Sequence, residues 1–121
     1  MYARMTIMMI HPDRIPDALA IYKKSVVPAA RKQKGFRGIC MLKDVQAGKG
    51  ISVTFWRTEK DAQANEESLY YQEQLAKFLD MFSGPPIKEG YEVAVHIMAP
   101  GSEPCASLKK AKNAKNRRKK N

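Results

Sequence analysis

An aromatic stretch in the middle of the chain carries the side chains best suited to bind a flat ring. Residues 55–71 read FWRTEKDAQANEESLYY, in which Trp56 closes one apolar run and Tyr70 and Tyr71 open another. Aromatic side chains pack on aromatic ligands, and a tyrosine hydroxyl can also donate or accept a hydrogen bond. A large ring is also expected where a strand passes into a helix, because it fills space there. The stretch is therefore either a binding pocket or a structural joint.

Few other residues have side chains suited to catalysis or metal binding. Histidine titrates in the range of a general base, so His96 is a candidate, although a single histidine on a strand is usually structural. Neither Cys40 nor Cys105 has metal-ligand spacing around it, and we expect no metal site and no disulfide between them. The sequence contains no Walker loop, dinucleotide fingerprint or catalytic triad. No motif therefore defines an enzyme class.

The positive charge is concentrated at the C-terminus. The chain of 121 residues carries a net charge of +10, and residues 101–121 contribute seven of those charges. This predicts a folded domain over residues 1–99 and a flexible basic arm over residues 100–121. The arm favours non-specific contact with nucleic acid or an acidic membrane surface, or acts only as a solubilising segment. Its basic residues are Lys109, Lys110, Lys112, Lys115, Arg117, Arg118, Lys119 and Lys120.

The composition is typical of a single soluble domain. Hydrophobic residues make up 44% of the chain and charged residues 28%, which excludes a disordered chain. No apolar run approaches the roughly 20 residues of a membrane helix, and the N-terminus lacks the pattern of a signal peptide. We therefore expect a cytoplasmic protein.

The periodicity of the apolar residues predicts the elements that position these side chains. Residues 2–10 alternate as a strand does, and residues 13–34 place apolar side chains three and four apart, as a helix does. Pro28 predicts a kink in this helix because proline lacks a backbone donor and crowds the preceding turn. Gly35 is expected to end the helix in the left-handed conformation.

The next two strands are predicted over residues 35–44 and 50–57, joined as a hairpin. Thr58 follows as an N-cap, with Asp61 three residues on in a pattern that resembles a capping box.

A second helix is predicted from Thr58 to about Phe82, with Ser68 capping a new segment after a break. Residues 91–98 are predicted as the last strand, because Val93, Val95 and Ile97 alternate with other side chains. The apolar face of the helix is expected to contain Leu75, Phe78, Leu79 and Phe82.

The predicted order βαββαβ specifies an α+β, ferredoxin-like domain, with a four-stranded antiparallel sheet and both helices on one face. Every strand has apolar residues on both faces, so the uncovered face also needs a cover. A second copy of the chain would supply it, which predicts a homodimer.

Three segments, VVPAARKQKGFRGICMLKD, GISVTFWRTEKDAQANEESLYY and YEVAVHI, resemble the antibiotic biosynthesis monooxygenase family of dimeric α/β barrels. The resemblance covers about residues 2–98 and depends on the Gly-Phe after a proline, the tryptophan that ends the third strand and the Ser-x-x-Tyr that follows. It implies a homodimer with a ligand cavity between sheet and helices. The family includes cofactor-independent oxygenases of polyphenols and quinols, haem-degrading enzymes, and members without a known activity.

The haem branch of this family can be compared position by position. Its members carry a strand asparagine, a helix tryptophan and an iron-binding histidine, and these fall on Thr6, Asn65 and Leu75 here. Leucine cannot bind iron, so haem degradation is not expected and no cofactor is predicted.

The resemblance to the quinol-oxygenase branch implies a different site. Asn65 and Tyr70 would hydrogen-bond the oxygens of a phenol, Trp56 would wall its ring, and Arg4 would stabilise its anion. The catalytic candidates are thus Asn65, Tyr70 and His96, and the substrate-binding candidates are Arg4, Thr6 and Trp56.

Each candidate also has a structural interpretation. Trp56 can be a core residue, Asn65 a helix-break residue, and Arg4 the cross-strand partner of Glu92. Tyr70 and Tyr71 are not both expected to face the core. The alternative function is accordingly that of a non-catalytic homodimeric binding or scaffold protein tethered by its basic arm.

Overall fold

The computed structural model describes residues 1–101, which contain one antiparallel sheet and the helices that cover it. The eight basic residues of the predicted arm and Cys105 lie outside the described residues. None of the helices within residues 1–101 is long and apolar enough to cross a membrane.

The sheet has four strands, in the order β2-β3-β1-β4. The strands are β1 (Tyr2–Met9), β2 (Phe36–Asp44), β3 (Lys49–Trp56) and β4 (Ile87–Glu92). All neighbouring strands are antiparallel, and β1 lies in the centre between β3 and β4. This arrangement confirms the predicted α+β, ferredoxin-like fold.

The first helical segment is continuous but changes its winding. After a 3₁₀ turn at Pro12–Arg14 it passes through α1 (Ile15–Ile21), a π-helical turn (Tyr22–Val26) and α2 (Val27–Arg31). The amide of Val27 donates to the carbonyl of Tyr22, five residues back. Proline at position 28 cannot donate and crowds the preceding turn, so the irregularity predicted there takes the form of a wider π turn just before it.

The predicted helix ends are observed. Gly35 ends the first helical segment with a φ of +83°, in the left-handed region. Helix α3 (Glu59–Glu66) is capped by Thr58, whose hydroxyl accepts from the amide of Asp61 at 3.1 Å. The capping box is incomplete, because the Asp61 carboxylate accepts from Arg57 Nε at 3.1 Å.

The second helical region is broken, as predicted at Ser68. Helix α4 (Leu69–Ala76) begins there, with the Ser68 hydroxyl accepting from the Tyr71 amide, and a 3₁₀ turn at Leu79–Met81 follows. Phe78 is buried, but the prediction that Leu79 shares this apolar face is wrong, since Leu79 is exposed. The change of winding after Ala76 rotates Leu79 away from the core.

The last strand lies earlier than predicted. β4 pairs with β1 over Ile87–Glu92, whereas residues 93–99 form no strand. Val95 and Ile97 are exposed, although their alternation predicted a strand. Strand β4 is an edge strand, and its sequence IKEGYE is rich in charges that suit an edge and weaken the apolar signal.

The two faces of the sheet are covered differently. The face under the helices forms the core, with Met8, Ile15, Tyr22, Ala30, Ile39 and Phe78 among its buried residues. The open face presents the alternate side chains of the same strands, and the central ones are Met5, Ile7, Leu42, Ile51, Val53 and Phe55. Within residues 1–101 the open face therefore remains an apolar surface without helices.

The turn at Gly35 gives a test of the fold. A Cβ at this position would collide with the carboxylate of Asp61, while at Gly101, with a similar φ of +81°, it would meet nothing within 4 Å. We expect Gly35→Ala to lower the free energy of unfolding by more than about 2 kcal/mol and Gly101→Ala by about 1 kcal/mol or less, because only the first adds a collision to backbone strain. Urea unfolding of both variants measures the difference, and equal losses would contradict the packing of Asp61 on Gly35.

Candidate functional site

A cavity lies between the covered face of the sheet and the helices. Its floor is formed by Arg4 and Thr6 of β1 and by Ser52 and Thr54 of β3. These residues share one face, because Arg4 pairs with Thr54 and Thr6 pairs with Ser52 across the two antiparallel strands. Its walls and roof are mainly apolar and aromatic, and Val26, Ile39, Leu75 and Phe78 contribute to them. The cavity thus has a floor with four polar side chains and mainly apolar walls.

An ion-pair cluster lies beside the floor of the cavity. The guanidinium of Arg4 contacts the carboxylate of Glu66, and Lys88 Nζ lies 3.4 Å from the same carboxylate. The side chains of Arg4 and Glu66 are only 16% and 11% exposed, so water screens this pair weakly. Two cations and one carboxylate leave one excess positive charge beside the cavity. That charge favours a ligand with an ionised oxygen.

The position of Arg4 depends on a glycine in the neighbouring strand. Its guanidinium lies over the ring of Tyr2, 5.4 Å from the ring centroid. Gly90 is directly opposite Arg4, and a Cβ at Gly90 would collide with both Tyr2 and Arg4. Because Gly90 has no side chain, Tyr2 and Arg4 have room to stack beside it. The predicted alternative, a pair between Arg4 and Glu92, is wrong because Glu92 lies opposite Tyr2.

The break between α3 and α4 places two polar side chains above the cavity. Asn65 lies in the last turn of α3 and Tyr70 in the first turn of α4, and both line the cavity. The Ser68 hydroxyl fixes the break by donating to the carbonyl of Asn65 at 2.5 Å. Tyr71 also lines the cavity, and both tyrosines are half-buried and lie outside the buried core.

Asn65 and Tyr70 differ in what they offer a ligand. Asn65 Oδ1 is buried and accepts no hydrogen bond from the described residues. Burial, and secondarily the neighbouring Tyr71, raises the pKa of Tyr70 to about 12. Tyr70 therefore keeps its proton near neutral pH and acts as a donor, not as a base.

Trp56 forms a wall of the cavity and is 1% exposed. Its indole Nε1 donates to Thr54 Oγ1 at 2.8 Å, and its ring packs edge-on against Phe36. The indole N–H is thus already engaged, and the ring surface is what Trp56 presents to a ligand. The aromatic stretch of the sequence is both a joint and part of a pocket wall.

His96 is not brought to this cavity. It lies beyond β4 and stacks on Phe55, with the ring centroids 5.7 Å apart and the planes at 20°. Phe55 belongs to the open face of the sheet, since its neighbours Thr54 and Trp56 face the cavity. The sheet therefore separates His96 from the other candidates.

Sequence reasoning missed Glu66. Its carboxylate is largely buried, and its two cationic partners come from β1 and β4, far away along the chain. A polar residue near the end of a short helix is usually solvated, so no local signal identified it. Within residues 1–101, no three His, Cys, Asp or Glu side chains cluster as a metal site requires. Leu75 lines the cavity without any ligand atom.

The fold and cavity can be compared with solved structures. A protein from Bordetella bronchiseptica assigned to the antibiotic biosynthesis monooxygenases superposes with a TM-score of 0.69 and 18% identity, over 78% of this chain and 97% of that one. A second such protein, from Nitrosomonas europaea, gives 0.66 and 17% over 78% and 100% of the two chains. Rv0793 from Mycobacterium tuberculosis gives 0.67 and 14% over 80% and 98%. The chain has the antibiotic biosynthesis monooxygenase fold.

Sequence comparison adds two relatives of this antibiotic biosynthesis monooxygenase-like chain. The uncharacterised proteins Rv2557 and MT2634, from two strains of Mycobacterium tuberculosis, are each 30% identical to it over 94 residues. The match covers 77% of this chain and spans only 41% of each relative. No protein-family model matches the chain. The resemblance predicted from the sequence is therefore confirmed for the fold.

The raised pKa of Tyr70 predicts how stability depends on pH. Below about pH 10 the phenol is protonated in both the folded and the unfolded chain. Between about pH 10 and the folded value of about 12 only the unfolded chain ionises, so the folded state loses stability as pH rises through this window. We expect Tyr70→Phe to have a flatter stability profile there, measured by urea unfolding. The difference in tyrosine absorbance between the two proteins should titrate near pH 12, and a midpoint near 10 would contradict the assignment.

Proposed function

We propose that this chain is a homodimeric, cofactor-independent monooxygenase that oxidises a small aromatic phenol or hydroquinone. The observation that carries the proposal is that Arg4, Asn65 and Tyr70 line one cavity, whose walls are mainly apolar and aromatic. A flat ring suits the apolar and aromatic walls, and its oxygens suit the polar side chains. The fold shared with the antibiotic biosynthesis monooxygenases supports the same reaction class.

The reaction begins with the ionised substrate. A phenolate is electron-rich enough to give one electron to dioxygen directly, so the protein needs to bind the ring and favour its anion. The excess positive charge around Arg4 and the Tyr70 hydroxyl would stabilise that anion, and the low exposure of the Arg4 side chain strengthens its electrostatic interaction.

The remaining steps need no reductant other than the substrate. The phenoxyl radical and superoxide combine at a ring carbon that carries hydrogen, and the resulting hydroperoxide loses water to leave a carbonyl. One oxygen atom enters the ring and the other leaves as water, so a phenol and dioxygen give a quinone and water. The ring supplies all four electrons.

The size of the cavity favours a small ring system. The centres of water molecules can occupy a volume of about 80 Å³ inside the cavity. That space holds roughly five to eight waters, or on the order of 200 Å³ of liquid. One or two aromatic rings suit that space.

The open face of the sheet supports the dimer. It is apolar in the middle of three strands, and exposed Leu42, Ile87 and Tyr91 extend it toward both edges. An apolar face of this kind is stabilised when a second sheet covers it. The exposed Val95 and Ile97, which follow β4, would also be covered by a partner.

A substitution in the centre of this face tests the dimer. We expect the native protein to sediment at twice its monomer mass of 13.7 kDa and Val53→Glu to sediment as a monomer, because a buried carboxylate on each copy opposes association. Leu69→Glu is the matched control, since Leu69 is 75% exposed on α4 and far from the open face. A native monomer at micromolar concentration would reject the dimer.

Oxygen uptake tests the reaction. Metal-free protein should consume dioxygen with a one- or two-ring phenol or hydroquinone, faster as pH rises through the ionisation of the substrate and unaffected by chelators. Tyr70→Phe should lower the rate roughly 10 to 1000 fold, because one positioned donor to the anion is lost. The measurement is an oxygen-electrode trace for each protein over a range of pH.

Tyr91→Phe serves as the control for this experiment, since the Tyr91 hydroxyl bonds to Glu89 on the open face and its loss should leave turnover unchanged. Trp56→Ala is a poor probe, because removing a buried tryptophan costs about 3 to 5 kcal/mol of stability. Traces that match buffer across the whole set of phenols would favour the non-catalytic binding protein instead.

A further inference from the structure

One buried acceptor that lines the cavity has neither a hydrogen bond nor an ion-pair contact within residues 1–101. Asn65 Oδ1 is buried and has no hydrogen-bond partner among the described residues. A second amide in the same cavity behaves differently, because Gln74 Oε1 accepts from the Ser25 hydroxyl at 2.8 Å. Leaving a buried acceptor unpaired weakens folding, so such an atom in a cavity calls for a partner that the chain does not supply.

The other polar groups near Asn65 offer a ligand mainly hydrogen-bond donation. The guanidinium of Arg4 has donors only, and the Tyr70 hydroxyl keeps its proton at neutral pH. Glu66 Oε1 accepts from Lys88, whereas Glu66 Oε2 forms no hydrogen bond within residues 1–101 but lies in ion-pair contact with Arg4. A ligand oxygen without hydrogen can therefore bind Arg4 or Tyr70, but only a ligand that carries an O–H or N–H can satisfy Asn65.

We propose that Asn65 is a specificity residue, whose Oδ1 accepts a hydrogen bond from a hydroxyl that stays protonated on a dihydroxyaromatic ring. This inference rests on the proposed function, and it adds a selection for the oxidation state of the ring. A hydroquinone places one oxygen at Arg4 and Tyr70 and donates to Asn65 with the other. The corresponding quinone has two carbonyl oxygens and no hydrogen to donate, so it leaves Asn65 unpaired and binds more weakly.

Binding of a matched redox pair tests this selection. Tetramethylhydroquinone and tetramethylbenzoquinone have the same ring and methyl groups, and the substituted ring does not add cysteine thiols. Titration calorimetry under argon measures each affinity without turnover. We expect the native protein to bind the hydroquinone roughly 10-fold or more tightly than the quinone, the scale of one buried acceptor left unpaired.

Three variants identify the atom responsible. Asn65→Leu should bring the ratio of the two affinities close to one, because it removes the acceptor. Asn65→Asp keeps an acceptor oxygen and should keep the preference for the hydroquinone. Gln74→Leu is the matched control, since it removes an amide of the same cavity whose oxygen already has a partner, and the ratio should stay near the native value.

The inference is overturned if the native protein binds the two ligands equally or binds neither. It is also overturned if the preference survives in Asn65→Leu, or if Gln74→Leu abolishes it to the same extent. Because the titration excludes dioxygen, its outcome is independent of turnover. Absence of oxygen uptake would reject the oxidation alone, whereas equal affinities would reject the role of Asn65 alone.

Discussion

The register between β1 and β3 is the constraint on which the cavity depends. It sets Arg4 opposite Thr54 and Thr6 opposite Ser52, so that four polar side chains lie under the helices, where a ferredoxin-like domain would otherwise have continuous apolar core. A slip of one residue would exchange them for the apolar side chains of the open face. The cavity would then close as packed core, and the polar groups would lie on the surface expected to meet a second copy.

The break between α3 and α4 adds the groups that give the cavity its chemistry. In an unbroken helix, the backbone carbonyls near Glu66 would accept hydrogen bonds from amides of the next turn. The helix would then continue past Glu66 along the same axis. The Ser68 cap instead ends one helix and starts another, and this sets Asn65 and Tyr70 over the same polar floor. The resulting site combines two donors, Arg4 and Tyr70, with Asn65 Oδ1, an acceptor that has neither a hydrogen bond nor an ion-pair contact within residues 1–101. A protein that only needed a stable core would gain by replacing that acceptor with an apolar side chain.

Local signals in the sequence predicted most of the fold. Gly35, Thr58 and Ser68 act through their own turns, so their roles follow from neighbouring residues alone, and the order of elements follows from periodicity. Strand β4 and the ion pair of Glu66 depend on residues far away along the chain, and no local pattern identifies them. Val95 and Ile97, which alternate with other side chains after Glu92, form no strand and are exposed within residues 1–101. Of the six candidate site residues, only His96 lies apart from the cavity, because it follows a strand whose position was itself wrongly predicted.

A crystal structure of the protein soaked with a hydroquinone is the most direct test that the space between sheet and helices is a ligand site. We expect density for a flat ring beside Trp56, with one ligand oxygen near Arg4 and Tyr70 and the other within about 2.6 to 3.2 Å of Asn65 Oδ1. Density for the ring on the open face of the sheet, or a cavity that holds only water at saturating ligand, would contradict it.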